Sequence, residues 1–140
     1  MVRRMGCRSE WADDRHVIMD LYIESPWTWG ELMSQAEQTF LTIKALGTPC
    51  ATTVDVSHVG PIPKGNVLRY LTEIENMMPE NVFASSLIGA PYLVSVFMDI
   101  IMRMRPRAQR IALFAKTREE AHAKILERYA KINASAEKSA

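Results

Sequence analysis

The longest apolar run in the chain spans residues 82–104, and its pattern changes part-way along. Val-Phe-Ala-Ser-Ser-Leu-Ile at 82–88 reads as a short buried strand, Gly89-Ala90-Pro91 as a turn, and residues 92–104 as a helix. In that helix Ser95, Asp99 and Arg103 recur at every fourth position and form one narrow polar stripe. Leu93, Val94, Val96, Phe97, Met98, Ile100, Ile101, Met102 and Met104 fill the other faces. A helix packed on one side of a sheet needs roughly a third of its circumference apolar. This one has far more, so something besides a sheet must cover it: a neighbouring helix, a second subunit or a hydrophobic ligand.

The rest of the chain alternates between two periods. Residues 5–11 put Cys7, Ser9 and Trp11 on one side and Arg8 and Glu10 on the other, as an edge strand would. Asp13-Asp14 is a turn signal, and residues 16–23 predict a second strand antiparallel to the first. Pro26 breaks it, and Thr28-Trp29-Gly30-Glu31 has the spacing of a capping box. Trp29, Leu32, Met33, Ala36, Phe40 and Ile43 then recur at helical spacing until Gly47 and Pro49. Residues 51–56 are short and rich in β-branched side chains, as a strand buried on both faces should be. Beyond Gly60-Pro61-Ile62-Pro63, residues 64–78 predict a helix with Val67, Leu68, Leu71, Ile74 and Met78 inward, stopped by Pro79. Pro106 separates the central helix from a strand at 110–115. Thr117-Arg118-Glu119-Glu120, a second capping box, opens a last helix with Ala121, Ile125, Tyr129 and Ile132 on one face. Strands spaced by helices of ~12–18 residues predict a mixed, mostly parallel α/β sheet of four to five strands with about four helices. Residues 5–132 form one domain in this reading, and the Ala, Ser and Lys of 133–140 a fraying tail.

Charge and cysteine content narrow the partners. Seventeen basic against sixteen acidic residues leave a formal net charge of +1, which argues against the broad positive field of a nucleic-acid binder. Cys7 and Cys50 fit no Cys-x-x-Cys pattern and read as reduced thiols of a cytoplasmic protein. Arg3 and Arg4 are followed by no apolar run, so no signal peptide is expected. Ser85, Ser86, Gly89, Pro91 and Asp99 interrupt the apolar stretch, which reads as strand plus helix and not as a membrane span.

Trp27-Thr28-Trp29 with Glu31 opening the first helix, Val54-Asp55-Val56-Ser57 ending a strand, then a Pro-rich loop and a second helix, resemble the STAS or SpoIIAA-like superfamily, the anti-sigma-factor antagonist-like group. The likeness is strongest to its stand-alone bacterial members and covers about residues 5–132. It implies a four- or five-stranded sheet with helices and a non-enzymatic role in signalling through protein binding. Phosphorylatable members carry Asp-Ser-Ser/Thr-Gly where the second helix opens. Here the stretch is Pro63-Lys64-Gly65-Asn66, with no hydroxyl, so the phospho-switch of those members is not supported.

Ligands of open parallel sheets sit beyond the strand carboxyl ends, which singles out Asp55, Ser57, His58 and the loop to Lys64, and Ser57, His58, Pro61 and Lys64 are candidate partner-binding residues. Ser57 and His58 suggest a triad, but neighbours on a strand point to opposite faces and diverge. Residues 60–66 lead into a helix, yet two prolines remove amide donors, so partner docking and plain connection both stand. Asp20, Asp55 and Lys116 lack the adjacent acids of a phospho-acceptor pocket. Arg103, Arg105, Arg107 and Arg110 make a basic corner, read as solvated helix-end cations or as a patch for an acidic partner or lipid surface. His16, His58 and His122 have no metal-ligand spacing, and no cofactor or catalytic group is nominated. The methionines of the central helix suit an adaptable surface or core filling.

The leading expectation is therefore a protein-binding, regulatory module, forming a homodimer first, whose contact is Leu93, Phe97, Ile100, Ile101 and Met104. The alternative is a carrier or sensor of a lipid or other hydrophobic small molecule, with Trp27 and Trp29 at its entry and an internal cavity.

Overall fold

The computed structural model describes residues 6–89 and 91–139, without the side chains of Pro91, Leu93, Val94 and residues 136–139. Its elements, in chain order, are β1 (Gly6–Trp11), β2 (Ile18–Glu24), α1 (Trp29–Leu46), β3 (Cys50–His58), α2 (Val67–Met77), β4 (Val82–Ile88), α3 (Pro91–Ile101), α4 (Pro106–Ile111), β5 (Ala112–Ala115) and α5 (Arg118–Ser139). The strands lie side by side in that same order; β1 runs antiparallel to β2 and the other pairs are parallel. The mixed five-stranded α/β sheet matches the expectation from the sequence. Among the described residues the helices number five, where about four were expected.

Successive one-strand crossovers of a single hand place every connecting helix on one face of the sheet. Accordingly Phe40 and Ile43 of α1, Ile74 of α2, Phe97 of α3 and Ile111 of α4 pack with Met19, Leu21, Ile23 and Val56 on that face. The chain leaving β5 is then free to cover the other side. There Ile125, Leu126 and Tyr129 of α5 pack on Ile18, Ala51 and Ala84.

Local chemistry fixes the boundaries. Thr28 accepts the Glu31 amide at the start of α1, and Gly47, with φ +76°, donates its amide to the Ile43 carbonyl at the end. Asn66 caps α2 by accepting the Arg69 amide, so the helix begins after Lys64, which stays in the loop. Pro106 brings a second difference. Its φ suits a first helical position and it has no amide to leave unpaired, so residues 106–111 coil and β5 shrinks to four residues. Arg110 thus lies in a helix, not in the strand expected from it. α3 ends at Ile101, short of Met104, and the helical backbone of α5 continues through Asn133 to Ser139. The expected start of β1 at Met5 lies outside the described residues.

Sheet register decides where space remains. On the face of α1 to α4, Met19, Thr52, Ser85 and Ala112 form one cross-strand row, and Leu21, Val54, Leu87 and Phe114 form the next but one. The first row shrinks in side-chain size toward β5. Beneath α3 and α4 it leaves a trough that a row of leucines or valines would have filled.

Candidate functional site

A cavity of about 310 Å³ occupies that trough. Thr52, Ser85 and Ala112 floor it, and α1, α2, α3 and α4 wall it with Phe40, Leu71, Ile74, Phe97, Ile100, Ile101 and Ala108. Its size is at the lower end of the ~300–1,000 Å³ typical of small-molecule pockets. It is about twice the ~150 Å³ apolar cavity that admits benzene. Ile62 and Val96 line it while remaining solvent-exposed, which marks where it meets the surface.

The aromatic end is held open by hydrogen bonds. Trp27 Nε1 donates to the Val59 carbonyl over 2.8 Å and Trp29 Nε1 to the Pro63 carbonyl over 3.0 Å. The Trp29 ring stacks on Tyr70 at 4.6 Å and meets Trp27 edge-on at 5.0 Å. Two buried indoles thereby fasten the Pro-rich loop to the start of α1 and to α2, and satisfy their own N–H groups in doing so. Gly65, at φ +145°, is required there: a β-carbon would come within 2.8 Å of the Tyr70 ring.

Few polar groups face the cavity. Thr39 gives its hydroxyl to Ser9 of β1, and Thr52 gives its own to Ser85, so both are spoken for. Glu75 is different. Its residue is 5% exposed, it lines the cavity, and its Oε2 has no hydrogen-bond partner among the described residues.

The opposite face of the sheet holds a polar cluster under the start of α5. Asp20, 3% exposed, accepts the Thr53 hydroxyl over 2.6 Å, lies 2.9 Å from His122 Nε2, and has Arg118 Nη1 at 3.4 Å. Arg118 Nη2 donates to Asp55 Oδ2 over 2.7 Å, and its guanidinium lies over the Tyr22 ring, whose phenol burial pushes up in pKa. Thr53 and its cross-strand neighbour Ser86 are wholly enclosed, and among the described residues Ser86 Oγ and Arg118 Nη1 have no hydrogen-bond partner. The cluster ties α5 to β2 and β3. Among the described residues no group of three or more His, Cys, Asp or Glu side chains is placed to hold a metal ion.

The candidates named from sequence divide between these places and the surface. Phe97, Ile100, Ile101 and Met104 are half-buried cavity lining, whereas a free contact face was expected of them. The Leu93 side chain lies outside the described residues. Ser57, His58, Pro61 and Lys64 are exposed and none lines the cavity. The Ser57 amide donates to Asp55 Oδ1, so that carboxylate serves its own strand and Arg118 and not a triad. In the basic corner Arg107 is half-buried and donates to the Met78 and Pro79 carbonyls at the end of α2. Arg103, Arg105 and Arg110 are exposed.

The sequence pattern gives no role to Glu75 or Thr53, places Arg118 only within a capping box, and offers His122 only as a histidine without metal-ligand spacing. Glu75 had a legible signal: Val67, Leu71, Ile74 and Met78 form an apolar stripe, and position 75 falls inside it, four residues after Leu71. An acid at a core position of an amphipathic helix calls for a partner or a role.

Compared with known proteins, the chain matches no family model, no curated protein and no solved structure.

Proposed function

We propose that this protein binds a small hydrophobic molecule between its sheet and helices α1 to α4, as a carrier or sensor. The observation that carries the reading is the apolar cavity of about 310 Å³. The inward side of α3, with Phe97, Ile100 and Ile101, covers it, so a ligand absorbs part of the apolar surplus that the central helix shows. A packed interior loses dispersion contacts around every void, so an empty space of this size is costly unless it is used. Native mass spectrometry of protein purified without detergent tests this. A mass increment removed by organic solvent is the expected result; a bare polypeptide mass that takes up no added alkane or alcohol would overturn it.

A protein partner, with a second copy of the chain first, is the second reading, and a different face of α3 favours it. Tyr92, Met98 and Met102 are exposed on that helix and on the turn that follows it, alongside Arg103. Contiguous apolar side chains left to solvent mark contact surfaces more often than they mark accidents. The STAS-like assignment belongs with this reading. What supports it is the order of elements and the sheet of mostly parallel strands under one layer of crossover helices. Its signalling role goes with Asp20 and Asp55 being held by Thr53, His122 and Arg118. We place the chain in the cytoplasm on the strength of its two free thiols, Cys7 and Cys50. No helix among the described residues is long and apolar enough to cross a membrane.

A further inference from the structure

We infer that the ligand of this cavity is an amphiphile whose polar end donates a hydrogen bond to Glu75, an alcohol or an amine and not a carboxylic acid. The inference rests on the cavity being a binding site, and adds which chemistry it selects. An oxygen buried without a partner costs its full desolvation, about 1–3 kcal/mol and more when charged. Native proteins rarely leave such a group unmatched. Glu75 Oε2 is such a group, and among the described residues no Lys, Arg or His forms an ion pair with it.

Everything else about position 75 argues for an apolar residue. Ile74 beside it and Leu71 and Met78 one turn away on either side line the same cavity. A leucine at 75 would bury comfortably there, so the carboxyl is a departure from the pattern of its own helix. Acceptor geometry then sets the ligand's chemistry. A carboxylate offers only lone pairs, so it is matched by a hydroxyl or an ammonium group and repels another carboxylate. On the floor, one of the two hydroxyl protons of Thr52 and Ser85 is spent between them. That leaves the pair one further hydrogen for a ligand oxygen. An apolar chain lying over Ala112 and against Phe97 and Ile101, with its donor head at Glu75, satisfies both the walls and the carboxyl.

Four ten-carbon probes of one length separate the terms: decane, decan-1-ol, decylamine and decanoate, titrated into the full chain and followed by tryptophan emission, since Trp29 lines the cavity. Decanol and decylamine are expected to bind at least about tenfold more tightly than decanoate. In Glu75→Leu the preference for the alcohol over the alkane should disappear while decane still binds. Glu75→Gln, which keeps an acceptor and the shape, should retain alcohol binding, lose much of the amine preference, and provide a folded control should the leucine variant not fold. If decanoate matches decanol, or both Glu75 variants bind all four probes as the parent does, the role of Glu75 is overturned and the cavity remains a site. If no probe binds the parent, decane included, the cavity reading itself fails.

Discussion

Thr52 and Ser85 face each other across β3 and β4, the threonine hydroxyl donating to the serine oxygen over 2.9 Å, with Ala112 next in the same row. Their small side chains are the reason the space beneath α3 and α4 exists. Ala112→Leu should therefore fill it: thermal midpoint raised by an amount equivalent to about 1 kcal/mol, as cavity-filling changes commonly give, and uptake of apolar probes abolished. Calorimetry and native mass spectrometry together check this. A variant that is stabilised yet still binds would show the ligand to sit elsewhere.

Asp20 is enclosed, and Arg118 is the residue that joins it to Asp55. Removing one partner of such a cluster leaves a charge in a place that water cannot reach. Arg118→Leu is expected to lose about 3 kcal/mol, with the denaturation midpoint moved and the slope against urea unchanged. Raising salt should recover little of the loss, because screening acts weakly on enclosed groups. Probe binding on the other face should stay within twofold of the parent, which separates the support of α5 from the cavity.

Gly65 combines φ +145° with a close approach to Tyr70 and Trp29. Gly65→Ala meets both a strained backbone and the stacked rings, so a loss of about 1–3 kcal/mol is expected. Because the Trp29 indole is fastened to this loop through Pro63, the emission spectrum should shift as well, before any unfolding. An alanine variant with parental stability and spectrum would mean that the loop is not held as described.

Burial, then the neighbouring Glu31 carboxylate, pushes the Cys7 thiol from its ordinary 9.0 to about 11, and burial raises that of Cys50 too. The thiolate is the reactive form, so both should alkylate more slowly than a free thiol at pH 8. The folded protein holds the Cys7 proton to higher pH than the unfolded chain does. Its contribution to stability is complete below pH 9 and is lost as pH rises through about 11. Rates of iodoacetamide labelling between pH 7 and 10, with and without urea, check both statements; equal rates would refute them.

Most of the architecture was legible because period and punctuation agree. Thr28, Gly47 and Pro79 stop or start helices for reasons that depend on a few adjacent residues. Pattern failed at the strand expected over 110–115: Pro106 starts a helix that runs through Ile111, and it takes Arg110 and Ile111 from that strand. The binding site was less legible because a cavity is a property of register. Thr52, Ser85 and Ala112 are far apart in the chain and ordinary one by one; only strand pairing sets them in a row. The apolar surplus of 92–104 was visible from the start, but whether it faces inward or outward depends on helix rotation, which spacing does not set. Asp20 and Arg118 likewise meet only through the fold.

The central helix divides its apolar residues between two sides, and that division makes self-association testable apart from ligand binding. Phe97, Ile100 and Ile101 line the cavity and Val96 lies at its mouth; Tyr92, at 71% exposure, Met98 and Met102, at 63%, lie against solvent. If copies of the chain meet here, the contact uses the second group. Met98→Glu with Met102→Glu puts like charges on both halves of a symmetric contact, which costs more than removing apolar area alone. Light scattering behind size exclusion should then show the mass fall from dimer to monomer, while probe binding inside the cavity changes little. A parent chain that is already monomeric at tens of micromolar, or a double variant that stays dimeric, would take this face out of any homodimer and leave it to a different partner.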